Sequence, residues 1–211
     1  MYVPQVNAVD DPGTVLGLLR SAGVGHLVSV GGNDGFDATV LPFLVDDELT
    51  CIRAHIARAN PQWRQLDARS VLLIVPLSDA YVSPSWYPSK ADDPRVVPTW
   101  NYEVVHVHAT VSVRDEPDFV RRVVSDLTDR NEAMRTELTA APPTWAIDDA
   151  PGDFIDRQLR AIVGIELTID RVVAKRKLSQ NRTDADRAGV VAGLRSTPTN
   201  RGHAVADAMT T

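Results

Sequence analysis

Residues 24–54 read as two hairpins in tandem, and that succession narrows the fold more than any other feature. Residues 24–30 form a strand, Gly31-Gly32-Asn33-Asp34-Gly35 is a strong turn signal, and residues 36–45 return as a second strand. Asp46-Asp47 then turns the chain into a third strand over residues 48–54. Antiparallel hairpins in succession predict a meander or barrel. A βαβ layer is excluded for this stretch, because parallel strands need long helical crossovers.

The rest of the chain fits that frame. Residues 14–21 read as a short helix with Leu16 and Leu19 on one face, and residues 71–76 as a strand buried on both faces. Residues 102–113 alternate Val105, Val107, Ala109, Val111 and Val113 against His106, His108, Thr110 and Ser112, the pattern of a half-buried strand. Residues 116–138 carry Phe119, Val123, Val124, Leu127 and Met134 at helical spacing. An Ala- and Pro-rich linker (140–151), a short helix (152–161), a strand (162–173) and an amphipathic helix (183–194) follow. The Thr-Pro-Thr-Asn-Arg-Gly run predicts a disordered tail over 196–211. The expectation is a mainly β, α+β fold with peripheral helices. One domain covers residues 1–175, and a polar loop and helix (176–195) pack on it.

Composition limits function. Hydrophobic content of 44% with 24% charged residues is that of a globular protein, and no apolar run approaches the ~20 residues of a membrane span. The N-terminus has no basic n-region or apolar h-region, so no signal peptide is expected. One cysteine, Cys51, sits in an expected strand as a small buried apolar residue, and its solitude fits a reducing cytoplasm. A formal net charge of −6 counts against direct DNA binding, which draws most of its affinity from neutralising phosphates. His106 and His108 share a strand face, but no third ligand completes a metal set.

The chemistry lies in four polar-aromatic blocks: residues 55–63, 80–90, 97–102 and 177–182. Three of four Trp and three of four Tyr fall inside them, although the chain is only 6% aromatic. Scarce aromatics beside Arg, Lys, Ser, Thr and Asn predict a pocket for a planar, anionic ligand. Arg58 offers a planar fork, and Asn60-Pro61 reads as a capped helix start whose free N–H groups favour an anion. Residues 81–98 form a long irregular excursion stiffened by Pro84, Pro88, Pro94 and Pro98. It presents Ser85, Trp86 and Lys90, and the next block presents Thr99, Trp100 and Asn101. Those rings equally suit a dimer interface. Ser179, Asn181 and Thr183 suit a capping loop, but Lys177, Gln180 and Arg182 together supply more donors than capping the following helix requires, so Lys177, Gln180 and Asn181 join the expected ligand contacts. The common catalytic signatures are absent: there is no phosphate-binding Gly loop, no Gly-x-Ser-x-Gly and no His-Glu-x-x-His.

The same blocks, with Met1-Tyr2-Val3-Pro4 and Ala38-Thr39-Val40-Leu41-Pro42, resemble the PaiB family of FMN-binding split-barrel "negative transcriptional regulators" over residues 1 to about 194. The resemblance implies a homodimer of split β-barrels with a cofactor pocket at the subunit interface. Arg58 and Asn60 would hold FMN, with Thr39 offering backbone to the ring. It also implies a regulatory role in transcription. Related chains are heme-dependent piperazate synthases, which close an N–N bond in N5-hydroxyornithine. On that alternative the cofactor is heme b and His55 is the expected iron ligand. A flavin-dependent oxidoreductase acting on a small-molecule substrate is the remaining alternative.

Overall fold

The computed structural model describes residues 1–31, 35–138 and 144–210. The turn residues Gly32-Asn33-Asp34 and residues 139–143, which include the start of the expected linker, lie outside them. Eight strands form: β1 (Ala8–Val9), β2 (Gly25–Val30), β3 (Phe36–Leu41), β4 (Phe43–Val45), β5 (Cys51–Ala57), β6 (Ser70–Val82), β7 (Thr99–Arg114) and β8 (Ile162–Lys177). The helices are α1 (Pro12–Ser21), α2 (Pro117–Leu138), α3 (Gly152–Arg160), α4 (Asp184–Arg195) and α5 (Asn200–Ala208). The hydrogen-bonded strand order is β3-β2-β6-β7-β8-β5-β4, with β1 paired to β8. The described registers are all antiparallel, as the tandem hairpins predict. No helix among the described residues is long and apolar enough to cross a membrane.

The chain divides into two compact units. The first comprises residues 1–18, 76–106 and 173–211, the second residues 19–75 and 107–172. Strands β6, β7 and β8 each contribute residues to both.

In the second unit the β2–β3 hairpin runs from Gly25 opposite Leu41 to Val30 opposite Phe36. The single strand expected over 36–45 is cut in two, because Pro42 has no N–H for the ladder. Strand β5 reaches Ala57 and pairs with β8, Cys51 opposite Thr168 and His55 opposite Gly164, so His55 is a strand residue and not a loop residue. Leu27, Phe43, Ile52, Ile56, Leu73, Ile165 and Leu167 fill the interior. The α2 stripe Phe119, Val123 and Leu127 buries at helical spacing against Leu44.

In the first unit, Ala80, Val82, Tyr87 and Leu178 pack with Val190 and Leu194 of α4 and with Val205, Ala206 and Met209. The expected disordered tail is therefore corrected: residues 200–208 form α5. Thr199 caps it, and burying Val205 and Met209 is worth roughly 1.5–3 kcal/mol each, enough to order a short helix. The polar run before it hid the apolar spacing at 205, 206 and 209.

Candidate functional site

Three of the four polar-aromatic blocks and the N-terminal arm converge on one cavity of about 310 Å³ in the first unit. Tyr87, Thr99, Asn101, Lys177, Asn181 and Arg182 supply its polar lining, and Pro4 and Val6 part of its apolar wall. Strand β8 delivers Lys177 at its C-terminal end. Just before it, Arg176 is fixed by the buried Glu103 at 2.7 Å, which also accepts from the Ser78 hydroxyl at 2.6 Å. The chain then reverses through Ser179, whose φ of 61° is left-handed. The buried Asn101 amide donates to the Ser179 Oγ at 3.0 Å and holds that turn. Gln180 closes it from the other side: its Nε2 donates to the Arg176 carbonyl, and its Oε1 accepts from the Leu178 N–H. Asn101 and Gln180 thus build the turn that presents Lys177, Asn181 and Arg182.

The Lys177 ammonium donates to the Thr99 Oγ1 and the Trp100 carbonyl, both at 2.5 Å. Burial pulls its pKa below the usual lysine value, the neighbouring Lys175 and Arg182 charges add to this, and Tyr102 opposes it. Arg182 lies over the Tyr87 ring, its guanidinium carbon 4.6 Å from the centroid. Tyr87 is 3% exposed, and its hydroxyl is buried without a hydrogen-bond partner. Beside the cavity lining, Trp100 is 52% exposed and meets Tyr81 edge to face at 6.4 Å.

Trp86 is not among the residues that line this cavity. It packs, half-buried, against the first unit's core, and a Cβ at Gly193 would stand 2.2 Å from its ring. The glycine at 193 of α4 leaves room for the indole. Ser89 docks the same segment on α4 through the Asp186 carboxylate, at 3.1 Å from its N–H and 2.8 Å from its hydroxyl. Ser85 and Lys90 are exposed and do not line the cavity.

The remaining block lies in the second unit. Asn60 caps a short 3-10 turn (Pro61–Gln65), its Oδ1 accepting from the Gln62 N–H at 3.0 Å. Its Nδ2 donates to the Thr39 hydroxyl at 2.8 Å, which in turn donates to the Gln62 Oε1 at 2.5 Å. The Gln62 amide passes on to the Ser29 hydroxyl at 2.9 Å. Arg58 donates to the Arg160 carbonyl (2.8 Å), to the Ile162 carbonyl (3.0 Å) and, through both terminal nitrogens, to the Asp115 carboxylate. Four of its five N–H groups are so engaged. The Asp115 pKa is lowered by that hydrogen bonding, with burial opposing. His55 keeps a buried Nδ1 without a partner, and burial lowers its pKa, so the imidazole is neutral at pH 7. The His108 Nε2 is likewise buried and unpartnered. No cluster of three His, Cys, Asp or Glu among the described residues is placed to hold a metal ion. Cys51 is half-buried and burial pushes its thiol up to about 11, which makes it a poor nucleophile.

Residues 1–171 match the family described as "Putative FMN-binding domain". The chain belongs to this family. Within it, the chain is 30% identical over 199 residues to "Protease synthase and sporulation protein PAI 2" of Bacillus subtilis, covering 93% of this chain and 90% of that one. It is 26% identical to the uncharacterized protein AN0679 of Emericella nidulans, over 79% of this chain and 78% of the other. Among solved structures, the flavocytochrome Anf3 from Azotobacter vinelandii superimposes with a TM-score of 0.59 at 15% identity, over 89% and 78% of the two chains. The FAD and heme binding protein from Mycobacterium smegmatis gives 0.58 at 17%, over 86% and 79%. Those likenesses establish the split-barrel fold expected from the sequence, and the FMN-binding family accords with the expected cofactor.

What the sequence does not show is that Tyr87 and Arg182 meet: a ring beneath a guanidinium is adjacency in space, which no spacing along the chain reveals.

Proposed function

We propose that the chain binds FMN, and that the half-exposed Trp100 indole is the face on which the flavin ring stacks. The observation that carries this is the half-exposed indole itself, which meets Tyr81 edge to face at 6.4 Å and leaves an aromatic face open. A flat ring system calls for such a face. When bound, the flavin would supply one- and two-electron redox chemistry. These residues stack it, orient it and keep water from one face.

Titration of the purified chain with FMN, read by quenching of flavin fluorescence, tests the reading. One FMN per chain is expected, and Trp100→Ala should weaken binding about tenfold, the effect of losing about 1.4 kcal/mol of stacking. A chain that takes up no flavin after reconstitution ends the proposal.

A PaiB-like regulatory role is the functional setting we infer, supported by the name of the Bacillus relative. Direct DNA contact would be a minor part of it, given the net charge of −6. A gel shift showing tight, salt-sensitive binding would reverse that point. A homodimer is inferred from β3, which leaves Phe36 79% and Val40 57% exposed on one strand. Sedimentation of Phe36→Asp should show monomer.

One observation favours a second reading. The neutral His55 imidazole with its unpartnered Nδ1 suits an iron ligand, and with heme the chain would be similar in activity to the piperazate synthases. A single intense Soret band, lost in His55→Ala, would establish it against the paired bands of a flavin.

A further inference from the structure

Arg182 and Lys177 are the two cations on the first unit's cavity, and neither forms an ion pair among the described residues. By contrast, Arg58, Arg95, Arg114, Arg121 and Arg176 each pair with a carboxylate, whereas Arg182 meets the Asp186 carboxylate only at longer range, where its charge helps lower that group's pKa. The Arg182 guanidinium is also without a hydrogen bond. Stacking on the Tyr87 ring holds its plane and leaves its donor edge available. The Lys177 ammonium has a third N–H beyond the two already engaged.

The third observation is independent of charge. The Tyr87 side chain lines the same cavity and is 97% buried (3% exposed), and its hydroxyl meets neither donor nor acceptor. A buried hydroxyl without a partner disfavours the folded state unless something else meets it. A cavity of about 310 Å³ stands at the lower end of the range that takes small molecules.

We propose that this cavity is a binding site for a small organic acid. Arg182 takes the carboxylate in a bidentate fork, Lys177 adds charge, and the Tyr87 hydroxyl meets a polar atom of the same ligand. The site does not depend on flavin. An oxyanion here has two sources, a free acid or the phosphate of FMN, and the proposal commits to the acid.

Calorimetry of the full chain with acetate, succinate, glutarate, glutamate and inorganic phosphate tests it, beside parallel titrations with FMN and riboflavin. At least one carboxylate is expected to bind the unmodified chain. Arg182→Met should weaken that binding at least tenfold, and Arg182→Lys, which keeps charge but loses the fork, by less. Tyr87→Phe should weaken it about threefold while leaving the melting temperature of the unliganded chain unchanged or higher. A structural role for the hydroxyl would instead lower that temperature. FMN affinity should change less than twofold in Arg182→Met. The proposal fails if no carboxylate binds, or if phosphate binds alone. It fails equally if Arg182→Met reduces FMN affinity to that of riboflavin, since the oxyanion would then be the flavin's own phosphate. If the chain binds a carboxylate but no flavin, the FMN reading fails and this one stands.

Discussion

The second unit's block and the first unit's cavity use the same residue types in opposite ways. Arg58, Asn60 and Thr39 have their donors engaged by the fold itself, through Asp115, the Arg160 and Ile162 carbonyls and the Gln62 amide. Around the cavity, packing does the holding: Trp86 sits on α4, Tyr87 joins the apolar cluster, and Arg182 and the Tyr87 hydroxyl are left over. A polar block in a sequence therefore shows that donors exist. Whether they serve the fold or a ligand depends on what lies within 3 Å of them.

The largest effect should come from the packed side. Gly193→Ala puts a methyl 2.2 Å from the Trp86 ring, and the rigid indole has no flexible end to yield. Overpacking of this kind costs about 3 kcal/mol, read as a drop in the urea midpoint. The same substitution at Gly17, where a Cβ meets nothing within 4 Å, is the control and should be neutral or stabilising. Equal effects at the two sites would mean that Trp86 is not seated as described.

Arg58→Ala comes next, at roughly 2–3 kcal/mol, because it removes a bidentate ion pair and leaves the carbonyls of Arg160, at the end of α3, and Ile162, at the start of β8, without their donor. Arg182→Met should cost no more than about 0.5 kcal/mol, as expected of a residue with no hydrogen bond to lose. Chemical denaturation of both variants sharpens the contrast between the regions. If Arg182→Met destabilises as much as Arg58→Ala, its guanidinium is structural and the contrast breaks.

These contrasts mark how far the sequence was legible. The tandem hairpins, the α2 stripe and the Asn60 cap carry local signals, and each element formed where they point. Strand ends were less legible: β6 runs to Val82 and β7 begins at Thr99, because pairing partners extend a strand past its alternating pattern. Helix α5 escaped because only Val205, Ala206 and Met209 of its segment bury, and their value arises from packing with α4. Of the expected site residues, Thr99, Asn101, Lys177 and Asn181 were brought to one cavity, whereas Arg58 and Trp86 were drawn into the fold. Sequence reports the side chain but not its neighbours, and engagement is a property of neighbours.

The smallest effect tests one of the two buried polar atoms that the described part of the second unit leaves over, the His55 Nδ1. Burial lowers the His55 pKa in the folded chain, while the unfolded chain keeps an ordinary value near 6.5. Below that pH the unfolded chain therefore binds the extra proton and the folded chain resists it, so stability falls as pH drops. The loss begins near pH 6.5 and stops once the folded imidazole also protonates. His108 is shifted in the same direction, chiefly by burial, and adds to the slope. Unfolding midpoints measured between pH 7.5 and 5 should thus fall for the unmodified chain and fall less steeply for His55→Leu. A steeper fall in the variant would mean that the imidazole gains a partner on protonation, and Nδ1 would then be a poor candidate for an iron ligand.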